Sequence, residues 1–271
     1  MNTADMKRRL ALPLALRTHI VALYLLVYFI VCRRTDGGVS RAELLCGLGF
    51  AALLQLGYLF NKLYDRAEDG FNGEEDLFSG PCRKAWRPGL AAAFIFVCCA
   101  LALLRPPLVP VLLYSAAVAF AYSHPLLRLK RALLLKPLIN TLNLFLVSVM
   151  SPMLLRDAGA WAYLPQLLAG SYKLLLMVLS LTLLFDVRDL SGDARAGVRT
   201  LPGALGRAPV LAAISALTLA SGASDLFSGL YVSAAAQLTI TAFALGALKE
   251  RARGYYDALA LAELFFLALM F

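Results

Sequence analysis

Long apolar segments, separated by charged residues, glycine or proline, recur along the chain and limit what it can fold into. Many of them approach the ~20 residues that an α-helix needs to cross the hydrocarbon core of a bilayer. Nine can be delimited, at residues 18–32, 44–60, 90–104, 108–122, 133–155, 162–185, 209–223, 227–248 and 255–271. The third and fourth are separated only by Arg105-Pro106-Pro107 and could also form one bent pair. The pattern predicts an all-α, polytopic membrane protein with about nine transmembrane helices.

The composition agrees with this class of protein. Hydrophobic residues make up 61% of the 271 positions, whereas soluble domains contain about 45–50%. No large polar interval separates the apolar segments, so we expect a single transmembrane domain over residues 1–271. The five cysteines are odd in number and lack the spacing of a zinc site.

The basic residues are distributed unequally between the two faces that nine crossings would create. The N-terminal segment and the loops after segments two, four, six and eight hold nineteen Lys and Arg residues, and the opposite loops hold five. Cytoplasmic loops of membrane proteins carry an excess of Lys and Arg. The bias therefore places the basic face in the cytoplasm, and the net charge of +9 needs no nucleic-acid partner.

Two groups of polar and acidic residues follow apolar segments at the spacing of a helix face. The first group, after segment two, comprises Asn61, Asp65 and Asp69, and the second, after segment six, comprises Asp186, Asp189 and Asp193. Spacings of i, i+4, i+8 and of i, i+3, i+7 place each group on one side of an α-helix. Since four segments separate the groups, both return to the cytoplasmic side, where we expect them to meet at one cavity.

Carboxylates that converge in this way repel one another unless a cation lies between them. Mg²⁺ prefers oxygen ligands and is commonly held by a few carboxylates, water and substrate phosphates. The two groups therefore indicate a Mg²⁺ site for a diphosphate, and loss of Asp65 or Asp189 should abolish activity. Nearby cations that could neutralise the remaining phosphate charge are Arg128, Lys130 and Arg131, with Arg188 or Arg195 beside the second group. Of these we predict Arg128, Lys130 and Arg188 as diphosphate ligands. The alternative is that each group consists of ordinary solvated charges at a helix end.

The ordered set of motifs resembles the UbiA superfamily of intramembrane prenyltransferases. The resemblance rests on the two acidic groups, on YSHPLLRLKR at residues 122–131, and on GVRTLPGALG at residues 197–206. Neither acidic motif is rare by itself. The set as a whole is specific, because it runs in the family's order from the second segment to the seventh and agrees with the nine-segment count.

The resemblance implies a ring of helices around a central cavity, with a cytoplasmic cap and a lateral opening to membrane lipids. It implies that the six residues of the two groups hold Mg²⁺ on an isoprenyl diphosphate, and that Arg128 and Lys130 contact the phosphates. The implied reaction releases diphosphate and transfers the prenyl group to an aromatic, quinone-type or other lipophilic acceptor.

Two departures from the family pattern leave a second reaction open. Lys62 stands where many relatives carry an acid, and Glu74-Glu75-Asp76 replaces a basic, proline-rich turn. Three acids there would repel an anionic acceptor, which favours a neutral acceptor or none. The superfamily also contains terpene cyclases, in which the double bonds of the substrate itself quench the cation. A UbiA-type cyclase acting on a C15 or C20 diphosphate is therefore the alternative to a transferase.

Polar residues within the apolar segments allow a third interpretation, that of a transporter or lipid-binding protein. These residues are scattered, and no inverted repeat with matched broken helices is visible in the sequence. We expect Asn140 and Asn143 either to line the cavity or to bond to neighbouring helices. We also expect Tyr122 to border the cavity, where its ring face could stabilise a cation.

Overall fold

The fold was analysed in a computed structural model that describes residues 17–65, 70–71, 83–123, 132–133, 135–249 and 251–270. All regular secondary structure within these ranges is helical. The α-helices are α1 Thr18–Asp36, α2 Arg41–Tyr64, α3 Arg83–Leu104, α4 Val109–Ser123, α5 Leu135–Arg156, α6 Leu164–Gly170, α7 Tyr172–Arg195, α8 Leu201–Leu205, α9 Arg207–Phe227, α10 Tyr231–Gly246 and α11 Arg253–Met270. Short 3₁₀ turns, Pro106–Leu108 and Ala158–Tyr163, precede α4 and α6.

The helices confirm the predicted class of integral membrane protein. By length and composition, α1, α2, α3, α5 and α9 can each cross a membrane, and Ala158–Gly170 with α7 forms a bent pair that passes the same test. Pro106–Tyr122 and α10 are shorter apolar helices. Each of the nine predicted apolar segments is mostly helical within the described part of the chain.

Two predicted segments are interrupted in the structure. The segment at 162–185 bends by 67° where α6 gives way to α7 at Ser171. The segment at 227–248 begins late, because α9 ends at Phe227 and α10 starts at Tyr231. Between them Gly229 has a φ of +73°, a conformation that glycine adopts at little cost. Hydropathy does not mark these breaks, because the residues on both sides are apolar.

The helices pack against one another in a closed order. Helix α1 packs on α2, α2 on α3 and α4, α4 on α5, α5 on α7, α7 on α9, α9 on α10, and α10 on α11, which returns to α1. On the outside of this ring, Phe96 and Leu103 of α3 are 73% and 85% exposed. Lipid tails are as apolar as these side chains, so the outer surface suits a bilayer.

A buried ion pair fixes the end of the ring that lies opposite the aspartates. Glu43 closes a capping box at the start of α2, since its N–H donates to Ser40 Oγ and its Oε2 accepts from the Ser40 N–H. Its Oε1 accepts a 2.8 Å hydrogen bond from Arg156 Nε at the end of α5, and Arg156 Nη2 donates to the Cys32 carbonyl. Helix α2 has 24 residues and is about 36 Å long at ~1.5 Å per residue, so this anchor is far from Asp65.

A second ionic contact holds the bent part of the ring. Lys173, at the start of α7, pairs with Asp225 near the end of α9. Ser233 of α10 donates a 2.6 Å hydrogen bond to the other oxygen of Asp225, which is fully buried. The contacts of Lys173 and Ser233 with Asp225 therefore join α7, α9 and α10. Lys173 does not border the cavity.

Candidate active site

The end of α2 and the C-terminal half of α7 border one cavity of about 210 Å³. Asn61 lies in the last turn of α2, and Asp65 follows directly after the helix. The α7 residues at the same cavity are Asp186, Asp189 and Asp193. Asp69, the remaining member of the two predicted groups, lies outside the described residues.

The first acidic group differs from its predicted conformation. Its spacing predicts a helix that continues through Asp69, whereas α2 ends at Tyr64 and Asp65 occupies the C-cap with its N–H bonded to the Asn61 carbonyl at 2.9 Å. Asp is a weak helix former, and the helix dipole disfavours a carboxylate at this end. Asp65 therefore occupies a position where a bound cation would be stabilising.

The second acidic group has the conformation that its spacing predicts. Helix α7 continues past the apolar segment to Arg195, and it carries all three aspartates on its buried side. Asp186 is 1% exposed and Asp193 is 5% exposed. Carboxylates buried to this extent need a compensating cation or hydrogen-bond donors.

Lys136, which neither acidic group includes, supplies that cation in this structure. Its Nζ lies 2.6 Å from Asp186 Oδ1 and 3.2 Å from Asp193 Oδ2. Lys136 belongs to the first turn of α5, so the two ion pairs also join α5 to α7. Removing one partner of such a buried pair leaves an uncompensated charge and is strongly destabilising.

Two buried oxygens at the cavity receive no hydrogen bond from the described part of the chain. They are Asn61 Oδ1 and Asp186 Oδ2, whereas Asp186 Oδ1 lies 2.6 Å from Lys136 Nζ. Amide and carboxylate oxygens are the ligands that Mg²⁺ prefers. Among the described residues no three acids, histidines or cysteines stand close enough to enclose an ion by themselves. The donors present fit Mg²⁺, and a complete site would need further oxygens such as those of Asp69, water or phosphate.

Of the three predicted diphosphate ligands, the structure describes only Arg188. Arg128 and Lys130 lie outside the described residues. Arg188 is described, but it does not border the cavity. Its guanidinium donates to both carboxylate oxygens of Asp189, at 2.8 and 2.7 Å, and to Asp257 of α11 at 3.2 Å. That these three residues bind diphosphate stays a prediction.

The rest of the cavity lining is largely apolar and aromatic. Its aromatic lining consists of Tyr24, Phe50, Tyr58, Phe94, Tyr122 and Phe185. Asn140 and Asn143 border it as well. Ser115 donates a 3.2 Å hydrogen bond to Asn143 Oδ1, and the Tyr24 hydroxyl donates to the Asn140 carbonyl. Asn143 therefore lies at the cavity and also accepts a hydrogen bond from the neighbouring helix α4.

Three cations at the cavity were not predicted as site residues: Arg17, Lys62 and Lys136. One sequence signal could have indicated Lys136. It precedes Asn140 and Asn143 by four and seven residues, which places all three on one helix face. This face of α5 runs from a charged residue through two amides to the apolar Leu144 and Val147, which also line the cavity.

Fold and site together define an integral membrane protein in which acidic residues of two helices border one largely apolar cavity. A comparison with protein families identifies the family, because the UbiA prenyltransferase family model matches residues 12–270. The chain belongs to the UbiA prenyltransferase family. No curated protein and no solved structure matches it.

We expect Lys136→Met to destabilise the metal-free protein, because Asp186 would remain buried without its cation. Loss of one partner of a buried pair costs roughly 3–5 kcal/mol, which should appear as a lower midpoint of thermal unfolding in detergent. Mg²⁺ should restore part of the loss by replacing the missing charge. Lys249→Met, at an exposed lysine, is the matched control and should leave the midpoint unchanged. Equal midpoints for Lys136→Met and the unaltered chain would contradict this role of Lys136.

Proposed function

We propose that the protein is a Mg²⁺-dependent prenyltransferase that ionises an isoprenyl diphosphate and transfers the prenyl group to a lipophilic, aromatic or quinone-type acceptor. The observation that carries the proposal is that acids from α2 and α7 border one cavity whose remaining lining is largely apolar and aromatic, with Arg17, Lys62 and Lys136 as its basic residues. Such a cavity suits a substrate with an anionic head and a hydrocarbon tail. Membership of the UbiA prenyltransferase family supports the same substrate class.

The oxygens of both acidic groups would hold the metal. The described candidates are Asn61, Asp65, Asp186, Asp189 and Asp193, and Asp69 is the sixth predicted ligand. Asn61 and Asp186 have oxygens that no described residue satisfies, which makes them the first candidates. Bound Mg²⁺ supplies positive charge that stabilises the departing diphosphate.

The basic residues of the cavity would act on the same leaving group. Lys136 now pairs with Asp186 and Asp193, and its ammonium can donate to a phosphate oxygen once these acids bind metal. Lys62 and Arg17 add positive charge at the same cavity. Preorganised charge of this kind, aimed at the atoms where negative charge develops, is often the largest contribution that a protein makes to catalysis.

The apolar part of the cavity would control what happens to the cation. The bond between C1 of the prenyl chain and the diphosphate oxygen breaks, and its electron pair leaves with the diphosphate. Side chains such as Phe50, Leu53 and Leu181 exclude water from the resulting allylic cation. A π-electron pair of the acceptor then forms the new carbon–carbon bond, and the acceptor loses a proton.

Asp186→Asn should lower the rate of diphosphate release by about 100-fold or more, as removal of one charge-stabilising group commonly does. The assay uses purified protein, Mg²⁺, an isoprenyl diphosphate and a membrane lipid extract as the source of acceptor. EDTA should abolish release, and added Mg²⁺ should restore it. Asp157→Asn, at an exposed acid remote from the cavity, serves as the control. Full turnover by Asp186→Asn, or turnover that is insensitive to excess EDTA, would overturn the proposal.

The aromatic lining favours a second candidate function, cyclisation of the prenyl chain without an acceptor. Six rings border the cavity, and a ring face attracts a cation by about 0.5–2 kcal/mol. Rings in this arrangement could hold a carbocation while a double bond of the same chain attacks it. The acids Glu74-Glu75-Asp76, outside the described residues, argue in addition against an anionic acceptor.

Acceptor dependence separates these two reactions. Purified protein would be incubated with Mg²⁺ and a single C10, C15 or C20 diphosphate, with and without the lipid extract. Transfer predicts that diphosphate is released only when the extract is present, and this is the result we expect. Equal release without the extract, together with cyclic hydrocarbons or alcohols detected by mass spectrometry, would identify a cyclase.

A further inference from the structure

A salt-bridge network behind the acidic site joins α7 to α11. Arg188 forms a bidentate pair with Asp189 and a longer hydrogen bond to Asp257 Oδ1. The side chains of Arg188, Asp189 and Asp257 are 8%, 12% and 16% exposed. The guanidinium therefore bridges a predicted metal ligand and an acid on α11, a helix that carries none of the predicted site residues.

The bidentate pair restricts what Asp189 can bind in the metal-free protein. Both of its carboxylate oxygens accept a hydrogen bond from Arg188, and the positive charge beside them opposes the approach of another cation. Because the guanidinium of Arg188 is buried, it cannot release Asp189 at low cost unless another carboxylate remains with it.

Asp257 is positioned to be that carboxylate. Its hydrogen bond from Arg188 Nη1 measures 3.2 Å, at the long end of the normal range, so the contact can tighten. Helix α11 is held from two sides by α1 and α10. The guanidinium also stacks 4.8 Å from the ring centroid of Phe185, a side chain that lines the cavity. This stacking keeps the guanidinium in place while its hydrogen bonds change.

We propose that Asp257 is a positioning residue that sets the affinity of the site for Mg²⁺. When Asp189 releases the guanidinium and binds the metal ion, Asp257 keeps its hydrogen bond with Arg188 and remains the carboxylate partner of that charge. The inference rests on the proposed function, in which Asp189 is a metal ligand. A neutral residue at position 257 would remove one carboxylate partner of Arg188, which would then hold Asp189 more tightly and compete more strongly with the ion.

The test is direct metal binding by the full chain in detergent, without substrate, using Mn²⁺ as the probe and electron paramagnetic resonance as the readout. Loss of a residue that supports a metal ligand commonly costs about 10–100-fold in affinity, so Asp257→Asn should weaken Mn²⁺ binding by about tenfold. Asp257→Glu should stay close to the unaltered chain. The double variant Arg188→Gln with Asp257→Asn removes both charges, and it should bind Mn²⁺ at least as tightly as the unaltered chain.

Two results would overturn the role of Asp257. The first is unchanged Mn²⁺ affinity in Asp257→Asn, and the second is a double variant that binds more weakly than the unaltered chain. If Asp257→Asn does not fold, the double variant still tests the competition between Arg188 and the ion. In the double variant Asp189 has lost its cation, which should favour Mn²⁺ binding, so weaker binding than in the unaltered chain would overturn the inference.

Asp189→Asn, measured in the same way, separates this inference from the proposed function. Loss of Mn²⁺ binding in Asp189→Asn with unchanged affinity in Asp257→Asn would count against the role of Asp257 alone. Unchanged binding in Asp189→Asn would instead count against Asp189 as a metal ligand, and so against the proposed function.

Discussion

The buried carboxylates of α7 are the constraint on which the arrangement of the site depends. Asp186 is 1% exposed, and an acid at that depth is tolerated when a cation lies beside it. In this structure Lys136 of α5 pairs with Asp186 and Asp193, and Arg188 pairs with Asp189 and with Asp257 of α11. These ion pairs therefore tie α7 to two other helices of the ring.

The ionic contacts at the two ends of the molecule have different properties. At the far end, both oxygens of Glu43 accept hydrogen bonds, from Arg156 and from the Ser40 N–H. At the cavity, by contrast, Asp186 and Asn61 have buried oxygens that receive none from the described residues. The far end is therefore suited to hold the helices together, and the cavity end is suited to receive a ligand that supplies the missing partners.

Local patterns in the sequence predicted much of this structure. Hydropathy located the helices, and the spacing of Asp186, Asp189 and Asp193 placed them on one side of α7, as observed. Local patterns failed where distant contacts or chain turns decide the outcome. The bend at Ser171 lies between two apolar helices, and α2 ends at Tyr64 although the spacing of the acids predicts that it continues. The spacing within α5 indicates the helix face on which Lys136 lies, but its pairing with Asp186 and Asp193 depends on the packing of α5 against α7.

In the proposed function, acids from α2 and α7 hold one metal–diphosphate complex. An experimental structure with Mn²⁺ and an isoprenyl thiolodiphosphate, a substrate analogue that resists ionisation, would decide whether they do. We expect Mn²⁺ density at ligand distance, about 2.0–2.3 Å, from Asp186 and from Asn61 or Asp65, with the prenyl chain along the aromatic side chains of the cavity. Metal or diphosphate bound away from both acidic groups would contradict the proposed function.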